Sequence, residues 1–206
     1  MTIIVIEGLS LTGKTTLCKR LGKYYSNQGI PCRYCPHGHL TDNQTAEVYY
    51  QNALRAWNSW DIPAAINWSM KSIHHDYEIF GQEKRPFGKE LIFLDRHITS
   101  QFVMAEHFMF DFSDWFNTIG NYYEFLLTCD FDELRKRSII RGDNHSRLTD
   151  YTLSAPDIHQ DMERLYTKYV LLHGMPLNHI IDNTEFQSFD KILPIIDSLI
   201  GGEGPL

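Results

Sequence analysis

The residues best suited to chemistry lie close to the start of the chain. Gly8-Leu9-Ser10-Leu11-Thr12-Gly13-Lys14-Thr15 places four residues between two glycines and follows the second glycine with a lysine and a hydroxyl. That spacing makes a phosphate-binding loop. Glycines let the backbone curl until successive N–H groups point into one concavity, and a helix beginning at Lys14 adds the positive end of its dipole. Gly8, Ser10, Thr12, Gly13, Lys14, Thr15 and Thr16 are the candidate contacts for a nucleoside triphosphate. Lys14 would bridge the β- and γ-phosphates, and Thr15 would hold Mg²⁺ through its hydroxyl. The bland alternative is a strand-to-helix turn with incidental Gly and Lys. An apolar strand ending at Ile6 and a helical pattern starting at Lys14 favour the loop. A nucleoside triphosphate and Mg²⁺ are therefore the expected ligands of the loop.

A second element is Leu91-Ile92-Phe93-Leu94-Asp95-Arg96, an apolar run ending in a carboxylate and a guanidinium. In a doubly wound sheet ligands sit at the carboxyl ends of strands, so Asp95 would face Mg²⁺ and the attacking oxygen, while the fork of Arg96 suits phosphate oxygens. A strand-end turn with a surface ion pair is the alternative reading. Arg137 and Arg141 lie four apart on one helix face. With Arg147 and the run Gly142-Asp143-Asn144-His145-Ser146 they look like a lid over about 137–150. A solvated basic helix face reads equally well. The loop alone also serves switch GTPases, but their Asp-x-x-Gly and Asn-Lys-x-Asp strings do not occur in this chain.

Cys32-x-x-Cys35-x-His37-x-His39 has the composition of a metal site. On a strand, however, residues three apart point to opposite faces, and Pro36-His37-Gly38 supplies a loop where a redox pair needs a helix start. The stretch reads instead as strand 2 and the loop beyond it.

The elements that must position these groups follow from periodicity. Residues 3–6, 91–94, 125–128 and 179–181 are apolar runs of the kind buried on both faces of a parallel sheet, with 32–35 a weaker fifth. Helical patterns fall at about 14–28, in two pieces over 45–83 broken near Asp61-Ile62-Pro63, and at 130–141, 154–173 and 189–200. Pro194 inside the last predicts a kink or a later start. The alternation implies βαβ units in one α/β domain spanning 1–206, with a frayed tail over 201–206. A formal charge of -7 argues against nucleic-acid or membrane-surface partners, and four cysteines without a framework suit a reducing cytoplasm. No run of ~18 apolar residues is present, and the N-terminus lacks a secretory pattern.

The chain resembles the thymidylate kinase-like branch of nucleotide and deoxynucleoside kinases. The resemblance rests on Ile6-Glu7-Gly8 through Gly13-Lys14-Thr15-Thr16, on Asp95-Arg96-His97-Ile98-Thr99-Ser100, on Arg137-x-x-x-Arg141-Gly142, and on Ile181-Asp182 with the final helix. It implies a P-loop nucleotide-kinase fold with a five-stranded parallel sheet in the order 2-3-1-4-5. It also implies Mg-ATP as donor and a small nucleotide or nucleoside acceptor, with no nucleic acid or membrane partner and a homodimer left open. By that resemblance Asp95 assists the acceptor oxygen or the Mg²⁺ shell, Arg96 contacts the transferring phosphates, and Pro36, His37 and Ser100 face the acceptor.

The departures from the family pattern all fall on the acceptor side. Ser72 stands where the family has a phosphate-binding arginine, with Lys71 beside it, and Met104-Ala105 replaces a base-reading Tyr-Gln. Among the aromatics of 49–68, which usually fill a core, Trp68 is the candidate for stacking on a base. The leading expectation is phosphoryl transfer to a nucleoside monophosphate. The alternatives are a kinase of a nucleoside or other small hydroxylated metabolite, and a non-catalytic nucleotide-binding module.

Overall fold

The computed structural model describes residues 1–36, 39–41, 43–82, 90–111, 122–142 and 146–201, and of residues 81 and 82 the backbone alone. His37, part of the lid stretch and all but the first residue of the tail thus lie outside the described residues. Five strands, β1 (Thr2–Glu7), β2 (Cys32–Pro36), β3 (Leu91–Asp95), β4 (Tyr123–Thr128) and β5 (Ile180–Asp182), form one all-parallel sheet in the order β2-β3-β1-β4-β5. This is the sheet order implied by the family resemblance. Helices flank it: α1 (Lys14–Asn27), α2 (Gln44–Ser59), α3 (Ile62–Gln82), α4 (Ile98–His107), α5 (Phe131–Arg141), α6 (Arg147–Thr152), α7 (Pro156–Leu172) and α8 (Ser188–Gly201).

The apolar strand runs are explained by a division of labour between faces. Ile4, Ile6, Leu91, Phe93, Phe125 and Leu127 pack with α1 and α8, whereas Ile3, Val5, Ile92 and Leu94 pack on the opposite face. Alternate side chains point to opposite faces, so a strand covered on both sides must be apolar throughout. The same alternation aims the polar residues at the strand ends. Glu7 continues the series Ile3, Val5 and faces α4 and α7, while Asp95 continues Leu91, Phe93 and faces α1. Cys32 and Cys35 divide between two clusters in the same way, and none of the four cysteines forms a disulfide.

Two helices and two boundaries differ from the sequence reading. Helix α4 was hidden from periodicity because Ile98, Thr99, Ser100 and Phe102 to Ala105 are all buried, which leaves no polar stripe to mark a face. Helix α6 is six residues long, too short for a periodic signal, and occupies part of the stretch read as lid. Helix α8 begins at Ser188 and runs through Pro194. Pro194 and Asp190 are both exposed, so the carbonyl that loses its i+4 donor meets water. His179 closes a 3-10 turn rather than opening β5. Among the described residues no helix is long and apolar enough to cross a membrane.

Candidate functional site

The loop between β1 and α1 is shaped by its two glycines. Gly8 has φ 132°, and a Cβ there would lie 2.2 Å from the Leu127 carbonyl oxygen; Gly13 has φ 99°, and its Cβ would meet Asn183 Nδ2 at 2.8 Å. No larger residue fits either position without moving the backbone. The buried Thr12 donates its hydroxyl to the Leu9 carbonyl at 2.9 Å, and Asn183 Nδ2 donates to the Thr12 carbonyl at 2.7 Å. Lys14 is buried, with its ammonium donating to the Leu9 carbonyl and lying 3.4 Å from Thr12 Oγ1. Burial and the neighbouring Arg96 push its pKa down to about 7. A phosphate anion in the loop would relieve that cost, since an opposite charge favours the protonated form. Thr15 and Thr16 are exposed at the start of α1.

At the end of β3 two side chains leave in opposite directions. Asp95 turns to α1, where Oδ2 accepts the Thr15 hydroxyl and lies 3.3 Å from Tyr34 Oη as a second acceptor contact. Thus the two expected Mg²⁺ ligands, 80 positions apart in the chain, are brought together. Arg96 has φ 73°, a left-handed backbone that costs a non-glycine residue on the order of 1–3 kcal/mol. Its guanidinium turns to the other side, donating from Nη2 to Ser10 Oγ at 3.2 Å and from Nη1 to Ser100 Oγ at 3.1 Å and Tyr166 Oη at 3.0 Å. The buried carboxylate of Glu7 completes this group: it accepts the His97 N–H at 2.6 Å, the Ser100 N–H at 3.3 Å and the Ser100 hydroxyl at 2.6 Å. Burial and the nearby Glu124 carboxylate raise its pKa well above the carboxylate range.

Beside the loop lies a cavity of about 310 Å³ bounded by α2, α3, α4 and the start of α6. Ser10 and Arg96 line it, so it opens onto the loop between β1 and α1. Tyr50, Leu54 and Trp57 from α2 form an apolar wall, and Ser69 and Ile73 from α3 face it. From α4 come His97, Ser100, Gln101 and Met104, and from α6 Arg147. His97 is 1% exposed, neither ring nitrogen has a partner among the described residues, and burial drives its pKa down to about 3. It is therefore a neutral polar group in the cavity wall.

The expected site residues thus divide. Ser10, Lys14, Thr15, Asp95, Arg96, Ser100, Met104 and Arg147 converge on the loop and its cavity. Trp68 and Lys71 do not. Trp68 stacks on Tyr49 at 5.7 Å, and Lys71 sits over the Trp68 ring at 4.8 Å. On α3 it is Ser69 and Ile73, one turn apart, that face the cavity, and Trp68 lies roughly 100° round the helix from Ser69. Trp57 occupies the place expected of Trp68. Ser72 hydrogen-bonds the Ala46 carbonyl at 2.7 Å and His39 Nε2 at 2.9 Å, tying α3 to α2. Pro36 pairs with Asp95 in the sheet register but lines a neighbouring cavity of about 640 Å³, which shares Tyr50 with the first.

Arg137 is not poised on a lid. It is 8% exposed and donates from Nη1 to the Leu11 carbonyl at 3.2 Å and from Nη2 to the carbonyls of Asn183 and Thr184 at 2.8 and 2.9 Å. It also pairs with Glu133 at 3.1 Å and lies 3.8 Å from the centre of the exposed Phe186 ring. With all its faces engaged, Arg137 clamps the loop between β1 and α1 to the segment after β5. Arg141, one turn on, is exposed. Glu7, Tyr166 and Asn183 were not among the expected site residues. For Glu7 the sequence offered its place in the Ile6-Glu7-Gly8 stretch and a carboxylate at the end of an apolar run, and nothing local marks the other two.

No family model and no curated protein matches the chain. Among solved structures, the chain is similar to the crystal structure of the YorR protein from Bacillus subtilis in complex with phosphorylated GDP. The two are 17% identical over 97% of this chain and 96% of that one, with a TM-score of 0.48.

Proposed function

We propose that this chain is an Mg-ATP-dependent phosphotransferase whose acceptor is a nucleoside monophosphate, as in the thymidylate kinase-like enzymes it resembles. The observation that carries the reading is the junction of the two sites. Lys14, Thr15 and Asp95 meet at the phosphate loop, and the cavity that shares Ser10 and Arg96 with that loop holds a second arginine, Arg147. A bound γ-phosphate and an acceptor oxygen would lie within one connected space.

The Thr15 hydroxyl and the Asp95 carboxylate are hard oxygen donors in mutual contact, a fit for Mg²⁺, which would neutralise charge on the phosphates. Lys14 would hold the β- and γ-phosphates as a point charge. An ionised phosphate oxygen of a nucleoside monophosphate would attack without giving up a proton, whereas a nucleoside hydroxyl would pass its proton to Asp95. The bond from acceptor oxygen to γ-phosphorus forms as the bond to the β,γ-bridging oxygen breaks, and ADP leaves. Arg96 would stabilise the equatorial oxygens, and the wall of Tyr50, Leu54 and Trp57 would exclude water, a competing acceptor.

A second reading, transfer to a nucleoside hydroxyl, is favoured by α3. This helix presents Ser69 and Ile73 to the cavity and keeps Lys71 outside it, so it supplies no cation for an acceptor phosphate. An ADP-release assay across nucleoside monophosphates, nucleosides and sugar-like alcohols separates the two. Turnover with monophosphates supports the first; turnover with nucleosides alone replaces it by the second. ATP binding without transfer to any of them removes both.

A further inference from the structure

We propose that Glu7 is the positioning residue for Arg96, acting through the Ser100 hydroxyl. The hydrogen bonds fix the direction of donation through the cluster. Oε1 of Glu7 receives two backbone N–H groups, from His97 and Ser100 at the first turn of α4. Oε2 receives the Ser100 hydroxyl proton at 2.6 Å. With its only proton committed to Glu7, Ser100 Oγ turns both lone pairs outward. One accepts Arg96 Nη1 at 3.1 Å, and the other faces Tyr166 Oη at 3.0 Å, which itself accepts Nη1 at 3.0 Å. Nη2 is then left for Ser10 in the phosphate loop.

The geometry of the sheet makes this arrangement possible. Glu7 is the last residue of β1 and lies on the α4 and α7 face, fully buried, so its carboxylate meets the start of α4 and Tyr166 of α7 together. A hydroxyl pair alone would not fix the guanidinium, because each hydroxyl can rotate to donate or accept. While Glu7 is ionised its carboxylate can only accept, and this removes that freedom.

The inference rests on Arg96 acting in phosphoryl transfer, and its test keeps the two claims apart. In Glu7→Gln the amide oxygen takes the place fed by the two N–H groups, so the amide N–H₂ faces Ser100 Oγ. The Ser100 proton, displaced from Glu7, then competes with Arg96 Nη1 for Tyr166 Oη, and both acceptors of Nη1 lose their fixed direction. Nitrogen-15 spectra of the arginine side chains read this directly in the full-length protein. The wild type should show separate, slowly exchanging Nη signals for Arg96, assigned by their absence in Arg96→Lys. Glu7→Gln should average or lose them and leave the signals of the buried Arg137 in place. Ser100→Ala, which removes only an oxygen, should do the same and serves if Glu7→Gln does not fold. Unchanged Arg96 signals in these variants overturn the inference.

Kinetics adds the second reading. Glu7→Gln should lower kcat by ~10-fold or more with little change in the KM for ATP, as expected of a misplaced group. The double variant with Arg96→Lys should be no slower than Arg96→Lys alone. Losses that multiply instead would overturn action through Arg96. Full kcat in Arg96→Lys would overturn the role of Arg96 itself, whatever the spectra show for Glu7.

Discussion

Replacing Arg137 by alanine tests whether this residue is a clamp or a moving part. The side chain donates to three backbone carbonyls, at Leu11, Asn183 and Thr184, from an 8% exposed position. Hydrogen bonds to charged groups contribute about 1.5–3 kcal/mol each, so three at the lower bound sum to about 4–5 kcal/mol. Leu11 and Thr184 are half-buried, and water reaching their carbonyls in the variant offsets part of this. A net loss of about 3 kcal/mol remains, which in a chain of 206 residues corresponds to a Tm lower by about 6–12 °C. Urea unfolding should show the same loss through its midpoint. Because Leu11 belongs to the phosphate loop, the KM for ATP should also rise. Arg137→Lys should recover little of either, since a single ammonium cannot serve three carbonyls in a forked geometry. A variant with unchanged Tm and a large fall in kcat would refute the clamp, because it would mean that Arg137 leaves these carbonyls and acts on the transferring phosphate.

Other outcomes follow from the same geometry. Lys14→Ala and Asp95→Ala should each lower kcat by at least ~10²-fold, the usual cost of losing preorganised charge or a base; near-normal turnover in Asp95→Ala would remove it from the mechanism. Trp57→Ala should raise the KM for the acceptor, whereas Trp68→Ala should leave it unchanged and lower stability through the lost Tyr49 contact; the reverse pattern would place the acceptor elsewhere. His97, whose pKa burial lowers to about 3, stays neutral in the fold while the unfolded chain takes up a proton near 6.5. Stability from this group is therefore lost as pH falls below 6.5, by about 2 kcal/mol at pH 5. Urea midpoints of His97→Leu should fall less steeply between pH 7.5 and 5 than those of the wild type, and parallel curves would show that the imidazole is protonated in the fold.

The division between what the sequence revealed and what it hid has a physical pattern. Groups held by their own backbone were legible. The loop from Gly8 to Thr15 is a run of eight residues whose glycines admit one type of path, and β1, β3 and β4 are apolar because both sheet faces are covered. Parity along a strand even indicates direction, since Asp95 shares a face with Leu91 and Phe93 and so had to meet α1. Groups placed by tertiary contact were not legible. Trp57 and Trp68 have the same type and similar helical settings, and only the angle at which α2 packs on α3 decides which one faces the cavity. Arg137 and Arg141 share one helix face in the sequence, yet one is buried under the segment after β5 and the other is exposed. Glu7 shows the limit most sharply. Its parity placed it on the α4 side of the sheet, but α4 has no polar stripe, and Tyr166 is 159 positions away. A buried carboxylate becomes meaningful only once the elements that satisfy it are known, because its ionised form survives burial through those partners and not through anything adjacent in the chain.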